Sequence, residues 1–282
     1  MSLLLPSVLT IAGSDSSGGA GIQADLKTIT ALGLYGSSVI TNLTAQNTIG
    51  VHVTEPVSQN MLAAQLDAVL SDIPPQAVKI GMVGTSYAIE IITQKLLNFP
   101  KVPVVTDPVM ISTSGRRLLD ETAMHVLTDR LFSISTLITP NIQEAEALLF
   151  KEEREIHTIK DIEEAACQLS EKFCTSVLLK GGHRAEGADD VLYHHGIITW
   201  FPGTRINNPN THGTGCTLSS AIACGLAKGM NLEESILTAK EYLNGALSAG
   251  LNIGKGNGPL WHGWKTDISD YTIKNWNPRN II

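Results

Sequence analysis

A short glycine loop that contains a thiol carries the strongest chemical signal in the sequence. Residues 210–217 read Asn-Thr-His-Gly-Thr-Gly-Cys-Thr and lead directly into an apolar stretch typical of a starting helix. Glycine lets the backbone turn sharply and approach another molecule closely, and a helix start binds anions through its free N–H groups and its dipole. The loop predicts an anion site beside the thiol of Cys216, as phosphoryl transfer requires. The alternative is a glycine loop that only begins a buried helix.

Acidic side chains follow two predicted strands and suggest a metal site. Asp107 comes after a short apolar run, and Asn141 and Glu144 come after the next one. In an open parallel sheet, ligands bind at the carboxyl ends of the strands. Two carboxylates there would suit Mg²⁺, which prefers oxygen ligands. The alternatives are an Asp-Pro turn at Asp107 and a helix capping box formed by Asn141 and Glu144.

A lysine closes a later strand in a similar position. Lys180 precedes two glycines, and its compact charge is suited to a phosphate group. The alternative is an ordinary lysine that faces solvent. His183, three residues on, is interpreted as a structural residue rather than a catalytic one.

The first strand and a later strand end also lead into polar segments. Residues 12–21 read Ala-Gly-Ser-Asp-Ser-Ser-Gly-Gly-Ala-Gly, which could form a second phosphate cradle, although the Walker and dinucleotide-binding patterns are absent. Asp25 lies on the helix that follows, where the alternative is a favourable interaction with the helix dipole. Gln46 could pair with an amide or aminopyrimidine edge through its own amide. For Gln46 the alternative is a surface loop.

The elements that would position these residues alternate between strand and helix. Short apolar runs, beginning at 7–12 and ending at 177–179, are each followed by a stretch with helical spacing. This pattern predicts a single α/β domain over residues 1–282, with a mostly parallel sheet. Residues 190–200 predict an antiparallel hairpin, which could cover the site or form a dimer contact. Two helices are predicted at 215–228 and 232–251, and residues 265–282 form an irregular tail.

Composition excludes several classes of partner. The formal net charge is −7 and the pI is near 5.6, which argues against nucleic acid or an anionic membrane surface as a partner. No apolar run reaches the length of a membrane span, and the N-terminus lacks the basic region of a signal peptide. None of the four cysteines forms a Cys-x-x-Cys pair. These features predict a cytoplasmic protein with reduced thiols.

Together the motifs resemble those of the hydroxymethylpyrimidine/phosphomethylpyrimidine kinases, thiamine-biosynthesis enzymes of the ribokinase-like superfamily. The resemblance runs from about residue 7 to 262, in the family's order. It rests on segments 12–27, 44–48, 79–82, 107–110, 139–141, 180–183 and 212–217.

The resemblance implies an architecture, an activity and a set of roles. The fold would be ribokinase-like, with a central mostly parallel sheet, helices on both faces and a small β flap. A homodimer would use ATP and Mg²⁺ to phosphorylate 4-amino-5-hydroxymethyl-2-methylpyrimidine to its monophosphate and then to the diphosphate. The implied residues are Gly13, Asp25, Gln46, Met82 and Val109 at the pyrimidine, Lys180 at the ATP phosphates, Asp107 and Glu144 at Mg²⁺, and Gly213, Thr214, Gly215 and Cys216 around the γ-phosphoryl group.

Cys216 stands where sugar kinases of the superfamily usually carry an aspartate base. A helix N-terminus lowers the pKa of a thiol, so a thiolate could accept the proton of the hydroxymethyl group. Alternatively, Cys216 only positions the reactants and the phosphate takes the proton late. The sequence departs from the family at 42–43, 112–113, 255 and 261, which leaves the adenine contacts unassigned.

Rival functions remain on the same fold. Pyridoxal kinases act on a similar ring, although Gln46 and Met82 favour the aminopyrimidine. A sugar kinase is disfavoured by the cysteine at 216. A non-catalytic ligand sensor would not need the full set of phosphate-directed and metal-directed residues.

Overall fold

One nine-stranded sheet forms the centre of the molecule. The computed structural model describes residues 4–110, 119, 121–150, 156–181 and 188–267. In chain order the strands are β1 (Ser7–Asp15), β2 (Tyr35–Asn47), β3 (Gly50–Pro56), β4 (Ala77–Ile80), β5 (Val104–Thr106), β6 (Leu137–Ile138), β7 (Ser176–Leu179), β8 (Asp190–His194) and β9 (Ile197–Phe201). All nine pair in a single sheet, which favours the predicted single domain.

The strand order creates a crevice between β1 and β4. The order is β3-β2-β1-β4-β5-β6-β7-β8-β9; the six strands from β2 to β7 are parallel, and the outer three are antiparallel. The chain first adds β2 on one side of β1 and later adds β4 on the other. Such a reversal opens a crevice at the carboxyl ends of the two central strands, where α/β proteins bind ligands.

Helices cover both faces of the sheet. They are α1 (Gly21–Ala31), α2 (Gln59–Asp72), α3 (Ser86–Leu96), α4 (Glu121–Val126), α5 (Ile142–Leu149), α6 (Ile159–Phe173), α7 (Thr214–Ala227) and α8 (Leu232–Ser248). A π-helical turn and a 3-10 turn follow α4 over 127–134. Several helix starts are fixed by local chemistry: Asn141, Thr158 and Asn231 each form a capping box, which satisfies backbone N–H groups that would otherwise lack partners.

The strands divide their side chains between two apolar cores. Leu9 and Ile11 point to the core formed with α2 to α6, whereas Val8 points to the core formed with α1, α7 and α8. Because both faces are covered, β1 and β4 to β7 are buried at nearly every position, as parallel strands usually are. No helix in the described part of the chain is long and apolar enough to cross a bilayer.

The structure confirms the predicted α/β class and corrects two details. The hairpin predicted at 190–200 is present as β8 and β9, but it extends the sheet edge and is not a separate flap; of its residues, only Asp190 lines the cavity described below. The hairpin that does overhang the cavity is β2–β3, and β3 was not predicted. His183, residues 112–113 and most of the predicted tail lie outside the described residues.

Candidate active site

A cavity of about 1000 Å³ opens at the carboxyl ends of the parallel strands. Each central strand contributes at least one polar or flexible residue at or just after its end, as the sequence predicted. The lining residues in the last part of β1, or shortly after β4, β5, β6 and β7, include Gly13, Ser14, Asp15, Met82, Asp107, Val109, Asn141, Glu144 and Lys180. Gln46 and Val51 reach the cavity from the β2–β3 hairpin, and residues 211–216 close it from the start of α7.

Two glycine segments pack against each other to build the anion loop. Gly213 is the N-cap of α7 and has a φ of 86°, a left-handed conformation that favours glycine. A Cβ at Gly213 would lie 1.9 Å from the carbonyl oxygen of Gly19, and a Cβ at Gly21 would lie 2.2 Å from that of Gly13. The Gly213–Gly19 approach brings the loop before α7 against the loop over 13–21 backbone to backbone, and the Gly21–Gly13 approach folds the 13–21 segment on itself; a side chain at Gly213 or Gly21 would prevent either.

The start of α7 faces an ion pair between two predicted site residues. Lys180 Nζ lies 2.8 Å from Asp107 Oδ1, which also accepts a hydrogen bond of 3.1 Å from the Thr139 hydroxyl. A Cβ at Gly215 would lie 3.1 Å from Asp107 Oδ2 and 3.4 Å from Lys180 Nζ. Burial alone would lower the pKa of Lys180, but Asp107 and Glu144 together raise it, so the ammonium group stays charged. The structure thus brings Gly215, Asp107 and Lys180 to one place.

Glu144 stands beside this pair in an environment that disfavours its charge. Its carboxylate accepts a hydrogen bond of 2.9 Å from the N–H of Asn141, completing the capping box of α5. The pKa of Glu144 is raised to about 7: burial is the largest cause, Lys180 opposes it and Asp107 adds to it. The cap uses one carboxylate oxygen of Glu144, and the backbone of Met110 also hydrogen-bonds the carboxylate. A metal contact, direct or through water, would share the carboxylate with these backbone bonds.

The two carboxylates fit a divalent cation that keeps its waters. Within the described residues no three His, Cys, Asp or Glu side chains form a ready-made metal cluster. Mg²⁺ does not require one, since it is held by one or two carboxylates together with waters and substrate phosphates. A cation near Asp107 and Glu144 would stabilise both carboxylates. It would thereby offset the repulsion between them and the cost of burial, which together raise the pKa of Glu144.

Cys216 lines the cavity on the first turn of α7, but its thiol is not acidic. Burial raises the pKa of Cys216 to about 11, with smaller opposing contributions from Lys79 and from a hydrogen bond involving the Gly21 backbone. Asp25 and Asp107 add to the rise. The prediction that the pKa of this thiol is lowered is therefore wrong in this structure: burial, Asp25 and Asp107 together outweigh Lys79 and the backbone hydrogen bond.

Four of the five predicted pyrimidine residues line the cavity, and Asp25 does not. Asp25 is fully buried beneath the cavity floor, where its carboxylate accepts hydrogen bonds from Lys79 at 2.8 Å, Thr10 at 2.6 Å and Ser220 at 2.7 Å. Each carboxylate oxygen of Asp25 thus already accepts two hydrogen bonds from buried protein groups and has no lone pair left for a ligand. The expectation that Asp25 contacts the pyrimidine is corrected to a structural role.

Gly13, Gln46, Met82 and Val109 do line the cavity. A Cβ at Gly13 would lie 2.6 Å from the terminal methyl group of Met82. The side chain of Met82 therefore rests against the bare backbone of Gly13 beside the crevice. This arrangement leaves an apolar wall beside the polar edge supplied by Gln46.

Sequence reasoning missed three groups of residues that belong to the site or support it. Asp15 and His212 lie inside the quoted motifs, yet neither was assigned a role; His212 Nε2 lies 2.9 Å from Asp15 Oδ2 and 3.2 Å from Gln46 Nε2. Lys79, the buried partner of Asp25, precedes Met82 by three residues. Lys240 pairs with Asp190 at the far end of the cavity. For Asp15 and His212, the sequence signal was their position inside the two glycine-rich motifs; Lys79 and Lys240 had no such signal.

The fold and this arrangement define a class, that of the ribokinase-like small-molecule kinases. A glycine-rich helix start, a lysine and two carboxylates meet at the edge of a mostly parallel sheet and line one cavity. The sequence model described as phosphomethylpyrimidine kinase matches residues 15–261. The chain belongs to the phosphomethylpyrimidine kinase family and is a kinase.

Individual relatives agree with this assignment. The chain is 48% identical over 257 residues to the hydroxymethylpyrimidine/phosphomethylpyrimidine kinase of Rhizobium meliloti, covering 90% of this chain and 96% of the relative. It is 49% identical over 257 residues to the thiamine biosynthesis bifunctional protein ThiED of Geobacter sulfurreducens; the match covers 91% of this chain but only 52% of that longer protein. The crystal structure of an ADP complex of Bacillus subtilis pyridoxal kinase superposes with a TM-score of 0.84 at 34% identity, covering 93% of this chain and 99% of that one.

Proposed function

We propose that this protein transfers the γ-phosphoryl group of ATP to 4-amino-5-hydroxymethyl-2-methylpyrimidine, and then phosphorylates the monophosphate to the diphosphate, in thiamine biosynthesis. The observation that carries the proposal is the placement of the α7 start against Asp107 and Lys180, with Gln46 and Met82 across the same cavity. The named activity of the Rhizobium relative, which matches nearly end to end, supports this choice of substrate.

The lining of the cavity suits both proposed substrates. Gln46, Met82 and Val109 would suit a flat ring with one polar edge. Ile206, Leu243, Leu247 and Asn244 also line the cavity and would suit a purine base with polar edges. Lys180 and the start of α7 would receive the phosphates.

In the transfer step, the hydroxymethyl oxygen forms a bond to the γ-phosphorus as the bond to the ADP oxygen breaks. The backbone N–H groups of Gly215 and Cys216, at the positive end of α7, would stabilise charge on the transferred group. Mg²⁺ held by Asp107 and Glu144 would supply further neutralisation of phosphate charge. Catalysis of this kind depends mainly on positioning and electrostatics.

Cys216 enters this scheme as a neutral thiol. With its pKa raised to about 11, it is protonated at neutral pH and is a poor proton acceptor. Of the two roles left open by the sequence, the structure favours the one in which Cys216 positions the reactants and the phosphate takes the proton late. A true thiol base would make kcat rise about tenfold per pH unit from pH 7 to 9 in the wild type. The expected profile is flat, and unchanged in Cys216→Ala.

A coupled ATP assay tests the proposed substrate. Purified protein with Mg²⁺ is given hydroxymethylpyrimidine, its monophosphate or pyridoxal, and ADP formation is followed. Turnover of both pyrimidines is expected. Turnover of pyridoxal alone would move the function to that of the Bacillus structural relative, and no turnover of any of the three would favour a sensor.

The homodimer and the cytoplasmic location remain proposals. Exposed apolar side chains on and beside the β2–β3 hairpin, among them Leu43, Val53 and Met61, offer a surface for self-association. All four cysteines are free, consistent with a reducing compartment. Light scattering at micromolar concentration would measure the mass per particle, and a monomer would refute the dimer.

A further inference from the structure

The side-chain amide of Gln46 lies between His212 and Thr44. These two neighbours determine which of them faces the amide oxygen and which faces the amide nitrogen. Its nitrogen is placed 3.2 Å from His212 Nε2, and its oxygen is placed 3.2 Å from the Thr44 hydroxyl. A half-turn of the amide would exchange the two ends without moving any other atom. The hydrogen-bond network decides between the two orientations, because oxygen and nitrogen have nearly the same shape.

Asp15 fixes the proton on His212. The carboxylate of Asp15 already accepts hydrogen bonds from the N–H groups of Ser17, Gly19 and Ala20 and from the Ser17 hydroxyl. These bonds and that of His212 outweigh burial and lower the pKa of Asp15 to about 2, so it is an acceptor only. His212 Nε2, 2.9 Å away, must therefore carry a hydrogen, its only one, which points mainly to Asp15. An amide oxygen of Gln46 at 3.2 Å can share that hydrogen as a second acceptor, whereas an amide nitrogen there would set donor against donor.

Thr44 leads to the same conclusion independently. Its single hydroxyl hydrogen is donated to the carbonyl oxygen of Ser14 at 2.9 Å. The Thr44 oxygen can then only accept a further hydrogen bond, so the group of Gln46 that faces it should be the NH2. Both neighbours require the amide oxygen toward His212 and the amide nitrogen toward Thr44.

We propose that Asp15, His212 and Thr44 hold the Gln46 amide in this one direction, so that its second N–H is a donor to the bound ring and the site selects a ring that presents an acceptor there. Asp15 and His212 are then positioning residues that set substrate specificity without the chemistry passing through them. The inference rests on the proposed function, because it takes an aminopyrimidine as the ring.

An aminopyrimidine and its oxo counterpart present different patterns of hydrogen-bond donors and acceptors on the ring edge, and a fixed amide can distinguish them. The aminopyrimidine offers an unprotonated ring nitrogen next to an amino group, an acceptor beside a donor. In the 4-oxo analogue the ring nitrogen carries hydrogen and the neighbour is a carbonyl, so the pattern is reversed. A fixed amide matches only the first ligand, whereas an amide free to turn could match either. A buried polar edge left unmatched discriminates strongly.

The experiment compares the dissociation constants of the two ligands, measured by calorimetry without ATP. The wild type is expected to prefer the aminopyrimidine on the order of a hundredfold or more. In His212→Phe the ring remains but the N–H is lost, and the ratio is expected to fall at least tenfold. Gln46→Ala should show a similar fall. His52→Phe, an exposed histidine on the same hairpin, serves as the matched control and should keep the wild-type ratio.

Several outcomes separate the inference from the proposed function. If the wild type phosphorylates the aminopyrimidine but His212→Phe, folded by circular dichroism, keeps the wild-type ratio, the inference is wrong and the function stands. If the wild type binds both ligands equally, the inference is also wrong. If it neither binds nor phosphorylates either ligand, both fail. Should His212→Phe not fold, Thr44→Val removes the other neighbour, and an unchanged ratio there equally overturns the inference.

Discussion

The buried pair of Asp25 and Lys79 leads to a prediction whose size follows from burial. Both side chains are fully removed from solvent, and Lys79 Nζ lies 2.8 Å from each Asp25 carboxylate oxygen. Asp25→Asn keeps the shape of the side chain and removes its charge. Lys79 is then left as a buried cation without a counterion, which is among the most costly single changes a protein core can suffer.

The cost has an upper limit because Lys79 can lose its proton. Releasing a proton at pH 7 from a group whose unfolded pKa is about 10.4 costs roughly 1.4 kcal/mol per unit, or about 4–5 kcal/mol. That agrees with the roughly 3–5 kcal/mol typical of breaking one partner of a buried pair. A typical domain has about 5–15 kcal/mol of stability in total. We therefore expect Asp25→Asn to remove a large part of the stability of the fold.

The pH dependence of this loss has a definite sign. In the wild type, Asp25 overcomes the effect of burial and raises the pKa of Lys79, so the stabilisation is complete below the unfolded value near 10.4. In Asp25→Asn the folded pKa of Lys79 falls below that value, and the penalty shrinks as pH rises. At pH 9 the limit is only about 2 kcal/mol.

Urea unfolding at pH 7 and at pH 9 measures both effects. The variant Asp25→Asn/Lys79→Met carries no buried charge and is expected to lie within about 2 kcal/mol of the wild type at both pH values. Its KM for the pyrimidine should match the wild type, since Asp25 does not reach the cavity. An Asp25→Asn penalty that is equal at the two pH values would refute the electrostatic reasoning. A large rise in KM in the double variant would restore Asp25 as a ligand residue.

Two further predictions concern the anion loop and the metal site. Gly213→Ala places a Cβ 1.9 Å from the carbonyl oxygen of Gly19 and should lower kcat by about a hundredfold. The control is Gly33→Ala, a glycine that is also left-handed but has open space around it; this variant should lose about 1 kcal/mol of stability and keep the wild-type kcat. Equal kcat values in the two variants would contradict the packing argument. The pKa of Glu144 is raised from 4.5 to about 7, so the stability of the Mg²⁺-free protein should fall by roughly 3 kcal/mol as the pH rises from 4.5 to 7. Thermal melting at several pH values should show that Glu144→Gln abolishes this fall. An unchanged pH dependence in that variant would mean that other groups cause the fall.

The fold and the position of the site could be predicted because each depends on a local pattern. Apolar runs alternating with helical spacing define α/β units, and parallel strands then bring their carboxyl ends to one edge. Asp107, Glu144 and Lys180 could be placed together from their position after β5, β6 and β7 alone. β3 gave no such pattern, because none of residues 50–56 is buried and they form no apolar run; in the structure the strand pairs only with β2.

Asp25 shows a different limit. On the sequence, an acidic residue near a helix start after a glycine loop looks the same whether it faces a ligand or the protein interior. What decides is the partner: Lys79 comes from β4, 54 residues away, and Ser220 from α7, 195 residues away. Only the assembled sheet brings these donors together around one carboxylate, so no local pattern could distinguish the two cases.

Cys216 shows why an electrostatic prediction from sequence can have the wrong sign. The helix start and the nearby Lys79 both favour a thiolate, and the first of these can be inferred from the motif. The opposing effect is burial, together with the nearby carboxylates of Asp25 and Asp107. Cys216 is half-buried on the wall of the cavity, and the segments that surround it there come together only in the assembled fold. In the proposed reaction, the start of α7 would stabilise charge that arrives with the substrate, while its own cysteine stays neutral.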